Sequence, residues 1–365
     1  MALLFLSNEI LLDILRYFGA SEFREDIGPL LVCKQWYNIA QTALLEDIVI
    51  DCDNVHRMPL GRHDFARELL PSKLTYLTIA VAEPDAYQHL PVEGSSRVET
   101  GKKRVVAFRE QLPDIVCFLR TCNKLRTCTV LVGILPELEP SEAGIAGAKN
   151  YARWHHSLQD MFGTIGSRLT SLVMDNTGFG LEAYEQGAGH LTCLIICGLL
   201  PSLHRLRVRL RTICPELLDV GPSCRVLPSK ELIINLGFWD ARLAKHDSVR
   251  CCDSKRIRNV LDLREKMVTA TKAMLPRCPA LEVARVIMAY TYDSPDIEVL
   301  NCINDDRTVL DTRSDWDGEG SGEAYETPLA MAERVKVEYL IRRHGGSHGI
   351  DSDDSQRTVG RRGRP

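Results

Sequence analysis

The stretch Lys124-Leu125-Arg126-Thr127-Cys128-Thr129-Val130 carries a leucine, two further residues and then apolar positions that alternate with polar ones. Strict alternation is typical of a short β-strand that buries one face. The same fragment, led by a basic or small residue, begins again at Lys73, Arg168, Ser202 and Ala280, and in a weaker form at Lys230. We therefore predict several short strands of one repeating kind.

Helical patterns precede several of these fragments. Apolar side chains recur at helical spacing over residues 105–121, 151–165, 190–200 and 255–275. Pro113 should kink or divide the first of these helices. A repeated order of helix, turn and strand is typical of an α/β solenoid.

The spacing of the fragments leaves two architectures open. The leading leucines, at 74, 125, 169, 203 and 281, are separated by 51, 44, 34 and 78 residues, and the last gap halves if Leu232 leads the weak fragment. Regular leucine-rich repeats are shorter and more even. The alternative is a mixed α/β domain with one sheet and no true repeat.

The first 45 residues carry more apolar side chains than so short a segment can bury within itself. Asn8 is placed to cap a helix that ends at Gly19, and a polar loop follows over residues 20–27. Pro29 suits the first turn of a second helix that carries Leu30, Leu31, Val32 and Cys33, and Trp36 belongs to a third. This surplus predicts a docking surface for a partner, although the segment can also be the first helical layer of a larger core.

Two blocks in this segment, Leu6-Ser7-Asn8-Glu9-Ile10-Leu11 and Leu31-Val32-Cys33-Lys34-Gln35-Trp36, together resemble an F-box of the fungal type. The family reads Leu-Pro-x-Glu-Ile-Leu, then an apolar pair, Cys, Lys or Arg, any residue and Trp. Ser7 stands where the family usually has proline. The resemblance implies binding to the Skp adaptor of a cullin–RING ubiquitin ligase. It implies that the interface, or its immediate support, comes from Leu6, Ile10, Leu11, Ile14, Leu15, Leu31, Val32, Cys33 and Trp36.

The remainder of the chain resembles the degenerate, insertion-rich leucine-rich repeats that are attached to many F-box proteins. The predicted fold is therefore α+β: a three-helix F-box, an irregular α/β solenoid and a disordered C-terminal tail. The predicted divisions are an F-box at 1–50, a substrate-recognition domain at 51–312, an acidic loop and terminal helix at 313–344, and the tail at 345–365.

Composition indicates a reduced, intracellular protein. The chain has 365 residues, of which 45% are hydrophobic and 26% charged, and its net charge of −4 gives no reason to expect nucleic acid as a partner. Its 13 cysteines lie mostly in apolar runs, as is usual in reducing compartments. Glu9 and Asp13 interrupt the apolar start, which therefore does not read as a signal peptide. We expect a cytoplasmic or nuclear location and no membrane contact.

No set of residues in the sequence carries a catalytic pattern. Neither a Cys-x-x-Cys pair nor a phosphate-binding loop is present, so we expect no metal, no cofactor and no enzymatic activity. An enzyme with a nucleophile at Cys251, Cys252 or Ser347 is the least favoured alternative. The arginines at 205, 207, 209 and 211 alternate along a predicted strand, either as a solvated face or as a site for an acidic or phosphorylated ligand.

These observations favour a substrate-recognition subunit of a Skp–cullin–F-box ubiquitin ligase, whose loops select a protein substrate. The alternative is an F-box scaffold or regulatory protein that acts outside a ligase.

Overall fold

Strands β1 to β9 lie in one sheet in the order in which they occur along the chain. They are β1 Asp47–Asp51, β2 Tyr76–Ala80, β3 Thr127–Val132, β4 Ser171–Asn176, β5 Arg205–Leu210, β6 Glu231–Asn235, β7 Val283–Ala289, β8 Ile297–Asn301 and β9 Arg307–Leu310. The first seven strands are parallel, whereas β8 and β9 pair antiparallel. Because neighbours in the sheet are also neighbours in the sequence, each parallel connection returns to the same edge of the growing sheet.

The structure is a computed structural model, and it describes residues 6–25, 33–52, 55, 70–81, 96–132, 157–176, 188–210, 213–221, 224–236, 260–289, 297–310 and 323–324. The chain divides into two compact units, Met1–Glu323 and Ala324–Pro365. Residue 323, the last of the first unit, begins the two-residue strand Glu323–Ala324.

Helical segments alternate with the parallel strands. The α-helices are α1 Asn8–Glu25, α2 Lys34–Glu46, α3 Ser96–Thr121, α4 over residues 157–165, α5 Ala188–Leu199 and α6 Val260–Met274. Short 3₁₀ segments cover Gly166–Arg168, Pro215–Leu218 and Leu275–Arg277, and residues 70–73 are also helical. The chain is therefore a mixed α/β protein, as the alternating patterns predict.

One backbone arrangement repeats at the start of each strand from β3 to β7. We call each strand, together with the helical segment before it, a coil. Two consecutive amides donate to a single carbonyl of the preceding coil, at N···O distances of 2.7 to 3.1 Å. The accepting carbonyls belong to Thr75, Arg126, Thr170, His204 and Lys230. This identical bonding gives the coils equivalent starting positions, despite the uneven lengths between them.

The predicted one-sided burial is confirmed in β3 and β5, whereas all five residues of β6 are buried. In β3, Cys128, Val130 and Val132 are buried against the helices, and the residues between them are only half-buried. The leucines two positions before β2 to β5 (Leu74, Leu125, Leu169 and Leu203) are all fully buried. A continuous apolar core therefore runs between the sheet and the helical layer.

The weak sixth fragment has a different register from the one that its leucine suggests. Leu232 pairs with Leu206, so it occupies the first inward position of β6 and does not lead the fragment. The leading position belongs to Ser229, which is buried and whose hydroxyl donates to the Leu203 carbonyl at 3.2 Å. The hydrogen bond satisfies a hydroxyl where the other coils place an apolar side chain.

Pro113 does not divide α3, although division was one of the two effects predicted for it. The helix runs from Ser96 to Thr121 with the proline inside it. The ring lies on the exposed side, while Phe108, Leu112 and Ile115 are buried on the other. Burial of this apolar face offsets the one backbone hydrogen bond that proline removes.

The helix boundaries at the N-terminus also differ from the prediction. Helix α1 continues through Gly19 to Glu25, so residues 20–25 are not a loop. A single glycine costs a helix interior only about 1 kcal/mol, which the surrounding helix formers offset. Cys33, placed by the prediction in a second helix, is the non-helical residue before α2. The rest of that predicted helix lies outside the described residues.

Residues 293–326 are mostly polar or small in the sequence, which predicts an insert, but this segment contains β8 and β9. Ile297 and Val299 of β8 join Ile233 and Ile287 in a separate apolar cluster, which explains why this hairpin adds to the sheet. Asp305 turns the hairpin with a φ of 63°. The predicted terminal helix and tail lie outside the described residues.

The predicted division after residue 50 falls inside β1, which extends to Asp51.

None of the described helices combines the length and apolar character needed to cross a membrane.

Candidate docking surface and sheet groove

The two sequence blocks of the N-terminus meet in one small core. Leu11 and Leu15 of α1 pack with Trp36, Ala40 and Ala43 of α2, and this cluster is distinct from the main core. We call α1 and α2 together the helical pair. Their contact explains why the apolar residues of the two blocks occur at helical spacing.

Side chains before each helix of the pair cap its first turn. Ser7 Oγ accepts from the Ile10 amide at 3.4 Å, so Ser7, and not Asn8 as predicted, is the cap of α1. Cys33 Sγ accepts from the Trp36 amide at 3.3 Å. Asn8 instead connects the helices, because its Oδ1 accepts from Gln35 Nε2 at 2.8 Å. The pKa of Glu9 is lowered by a backbone hydrogen bond and by the Ser7 hydroxyl.

The nine predicted partner-binding residues fall into three groups. Leu11, Leu15 and Trp36 are buried within the helical pair and can only support an interface. Ile10 is 50% exposed, while Leu6, Ile14 and Cys33 are half-buried. Leu31 and Val32 lie outside the described residues. Among the predicted residues that the structure describes, the second group can reach a partner directly.

Helix α1 presents an apolar stripe to solvent, which we call the α1 face: Ile10, Ile14 and Tyr17. These positions follow the i, i+4, i+7 spacing of one helix face. Tyr17 is 90% exposed and was not among the predicted residues. Its spacing of seven residues from Ile10 was the signal that would have revealed it. Exposed side chains of this size, aligned on one face, are suited to contact another protein.

The helical pair is joined to the sheet without a linker. Helix α2 ends at Glu46 and β1 begins at Asp47. The Glu46 carboxylate accepts from Arg16 Nε at 3.0 Å and from Arg16 Nη2 at 2.9 Å, and this pairing raises the pKa of Arg16. The Glu46 carbonyl accepts from the Thr75 amide at 2.9 Å, as its counterparts do in later coils. Helix α2 and β1 thus form the first coil of the sheet.

The strands' second face, turned away from the helices, carries polar side chains in its centre. We call it the outward sheet face. Arg209 Nε donates to Asp175 Oδ1 at 2.8 Å. Glu231 accepts from Arg205 Nε at 3.0 Å and also from Arg207. The basic stripe predicted here is therefore partly neutralised by acidic residues of the neighbouring strands, and Arg211 lies outside the described residues.

A shallow groove of about 380 Å³ crosses this face at the strand starts. It is lined by Tyr76, Thr127, Thr170, Ser171, His204, Arg205, Lys230, Glu231, Glu282 and Val283. Residues 76, 127, 171, 205, 231 and 283 are successive register partners, so the groove runs across six strands. Its hydroxyl groups lie towards β2 and its charged groups towards β6.

Three of the buried cysteines do not resemble nucleophiles. Burial raises the pKa of Cys122 and of Cys128 to about 12, and that of Cys302 to about 11, so these thiols stay protonated. Cys251, Cys252 and Ser347 lie outside the described residues. Among the residues that the structure describes, no three His, Cys, Asp or Glu side chains are grouped to hold a metal ion.

Comparison with protein-family models, with curated proteins and with solved structures finds no match to this chain.

Proposed function

We propose that the protein is a substrate-recognition subunit of a Skp–cullin–F-box ubiquitin ligase. The helical pair binds the Skp adaptor, and the sheet-bearing part, a degenerate leucine-rich-repeat-like solenoid, holds the substrate. The observation that carries the proposal is the convergence of the two F-box-like blocks in one small core beneath the exposed α1 face.

The continuity of α2 with β1 supports the same proposal. A ligase subunit without catalytic groups acts by holding its substrate near the transfer machinery in a suitable orientation. Because Glu46 is bound both by Arg16 of α1 and by the Thr75 amide, the adaptor-binding helices and the substrate-binding sheet are held by a shared residue. This connection fixes the orientation of a bound substrate relative to the adaptor.

Binding to the Skp adaptor is the first test. We expect Ile10→Asp to reduce recovery of the adaptor in a pull-down by at least tenfold, because it places a charge on the exposed isoleucine of the α1 face. The matched control is Leu194→Asp, which changes a leucine of α5 that is 47% exposed. Equal recovery by wild type and Ile10→Asp, or loss of binding in both variants, contradicts the proposal.

Participation in degradation is a separate measurement. In cells, we expect proteins labelled by proximity to both the wild type and Ile10→Asp, whose substrate-binding sheet is unchanged, to rise in abundance after proteasome inhibition. Adaptor binding without such a rise favours the alternative of an F-box scaffold that acts outside a ligase.

A further inference from the structure

We infer that the groove on the outward sheet face binds an extended substrate peptide through an anionic side chain received by Arg205 and Lys230. The inference rests on the proposed function, in which this part of the chain holds the substrate. It names the class of substrate segment that the sheet accepts.

The different exposure of the charges is the first argument. The Glu231 carboxylate is buried and accepts from the guanidinium groups of Arg205 and Arg207. Arg205 and Lys230, the two cations beside it in the groove lining, are exposed. The accessible charge in this part of the groove is therefore positive.

The accessible donors of the groove are the second argument. Arg205 uses Nε for Glu231, its side chain is 57% exposed, and no other described residue engages its two Nη groups. The Lys230 ammonium is exposed and also has no partner among the described residues. A guanidinium with both Nη groups accessible can bind a carboxylate or a phosphoryl group with charge-assisted hydrogen bonds.

The shape of the groove favours a peptide in an extended conformation. Six strands at a spacing of about 4.8 Å give the groove a length of about 24 Å, which is the span of about seven extended residues. The hydroxyl groups of Thr127 and Ser171 line the part beside Arg205, and the half-exposed ring of Tyr76 closes that end. These groups can accept or donate hydrogen bonds along a peptide backbone.

The distribution of charge disfavours a polyanion such as nucleic acid. Glu231 lies within the groove and the exposed carboxylate of Glu282 lines its far end, one strand beyond Lys230. A ligand with a negative charge at every position would be repelled there, whereas a peptide with one anionic side chain would not. The site thus complements a single acidic or phosphorylated residue in an extended segment.

The test uses the full-length chain and four pools of fluorescein-labelled nonapeptides with randomised flanks. The central residue of the pools is glutamate, phosphoserine, glutamine or lysine, and binding is followed by fluorescence anisotropy. We expect the glutamate or phosphoserine pool to bind at least tenfold more tightly than the glutamine and lysine pools. The tighter of the two anionic pools identifies the group as a carboxylate or a phosphoryl group.

Variants connect this preference to the groove. We expect Arg205→Gln and, independently, Lys230→Gln to reduce binding of the anionic pool about tenfold, the loss typical of one charge-assisted hydrogen bond. Arg205→Lys should retain part of the affinity, and Arg225→Gln, which removes an exposed cation outside the groove lining, should retain all of it. Thermal unfolding of each variant shows that the fold is kept.

Several outcomes overturn the inference: no preference for an anionic centre, an unchanged affinity in both Arg205→Gln and Lys230→Gln, or tighter binding of a single-stranded oligothymidine than of any peptide pool. Adaptor recovery is measured on the same preparations. A chain that binds the adaptor but shows no anion preference lacks this groove specificity only. A chain that binds anionic peptides but no adaptor instead contradicts the proposed function.

Discussion

A single thiol in the sheet illustrates how the core controls the chemistry of individual residues. Cys128 occupies the first inward position of β3 and has no exposed surface. Removal of the thiolate from water raises its pKa from 9.0 to about 12. At neutral pH the side chain is therefore a small apolar group, and its packing determines its contribution.

This pKa shift makes stability depend on pH in the alkaline range. Between pH 9 and pH 12 the unfolded chain releases the Cys128 proton while the folded chain retains it, so the free energy of unfolding falls as pH rises. We expect Cys128→Ala to be less stable than the wild type at pH 8. Above pH 9 its free energy of unfolding should fall less steeply with pH, and the two slopes should differ by up to about 1.4 kcal/mol per pH unit. Urea unfolding of both proteins from pH 8 to pH 10.5 checks this, and parallel pH profiles would contradict it.

Among the elements, the hairpin of β8 and β9 is held to the helical layer by charge as well as by apolar contact. Arg264 of α6 donates from Nη2 to Glu298 Oε1 of β8 at 2.7 Å, and both side chains are largely buried. Arg307 of β9 is 3.7 Å from the same oxygen. The Glu298 carboxylate of β8 therefore connects this strand to α6 and to β9.

We expect removal of one partner of this pair to destabilise the protein more than removal of both. Arg264→Leu leaves the buried Glu298 carboxylate with the half-exposed Arg307, at 3.7 Å, as its remaining partner among the described residues. We expect this change to lower the free energy of unfolding by about 3 kcal/mol. Arg264→Leu combined with Glu298→Leu should recover a substantial part of that loss, because apolar groups can replace a buried ion pair. Urea unfolding of the single and double variants measures the coupling, and strictly additive losses would show that the pair has no such role.

For the molecule as a whole, the decisive feature is that α2 belongs both to the helical pair and to the first coil. Trp36 and Ala40 face α1, whereas Leu45, Ile48 and Ile50 pack against the main core. The adaptor-binding segment proposed here is therefore not a separate module that can be removed at residue 50.

Two truncations distinguish a shared coil from a separate module. We expect the chain that begins at residue 51 to unfold at a lower temperature than the chain that begins at residue 34, because only the first lacks β1 and the buried Ile50. The longer chain keeps the parallel pairing of β1 with β2. Equal thermal stability of the two truncated chains would indicate a division at residue 50.

Much of this fold was predictable from local patterns, and the failures share a cause. Alternation of apolar residues identified β2 to β5 and β7, because a strand with one buried face has a period of two. The same reasoning missed β8 and β9, which lie between polar segments, and misplaced the register of Leu232. It also ended α1 at Gly19, because glycine has a low helix propensity, whereas the helix continues through this residue to Glu25.

By itself, the sequence determined which side chains are apolar at helical or strand spacing, and therefore the mixed α/β class and most of the residues of the main core and of the helical pair. Only the tertiary structure decided that Leu11 and Trp36 face each other while Ile10 and Tyr17 face solvent. It also decided that Glu231 of β6 lies beside two arginines of β5. Periodicity is a property of one segment, whereas exposure and ion pairing depend on which segments become neighbours across the sheet.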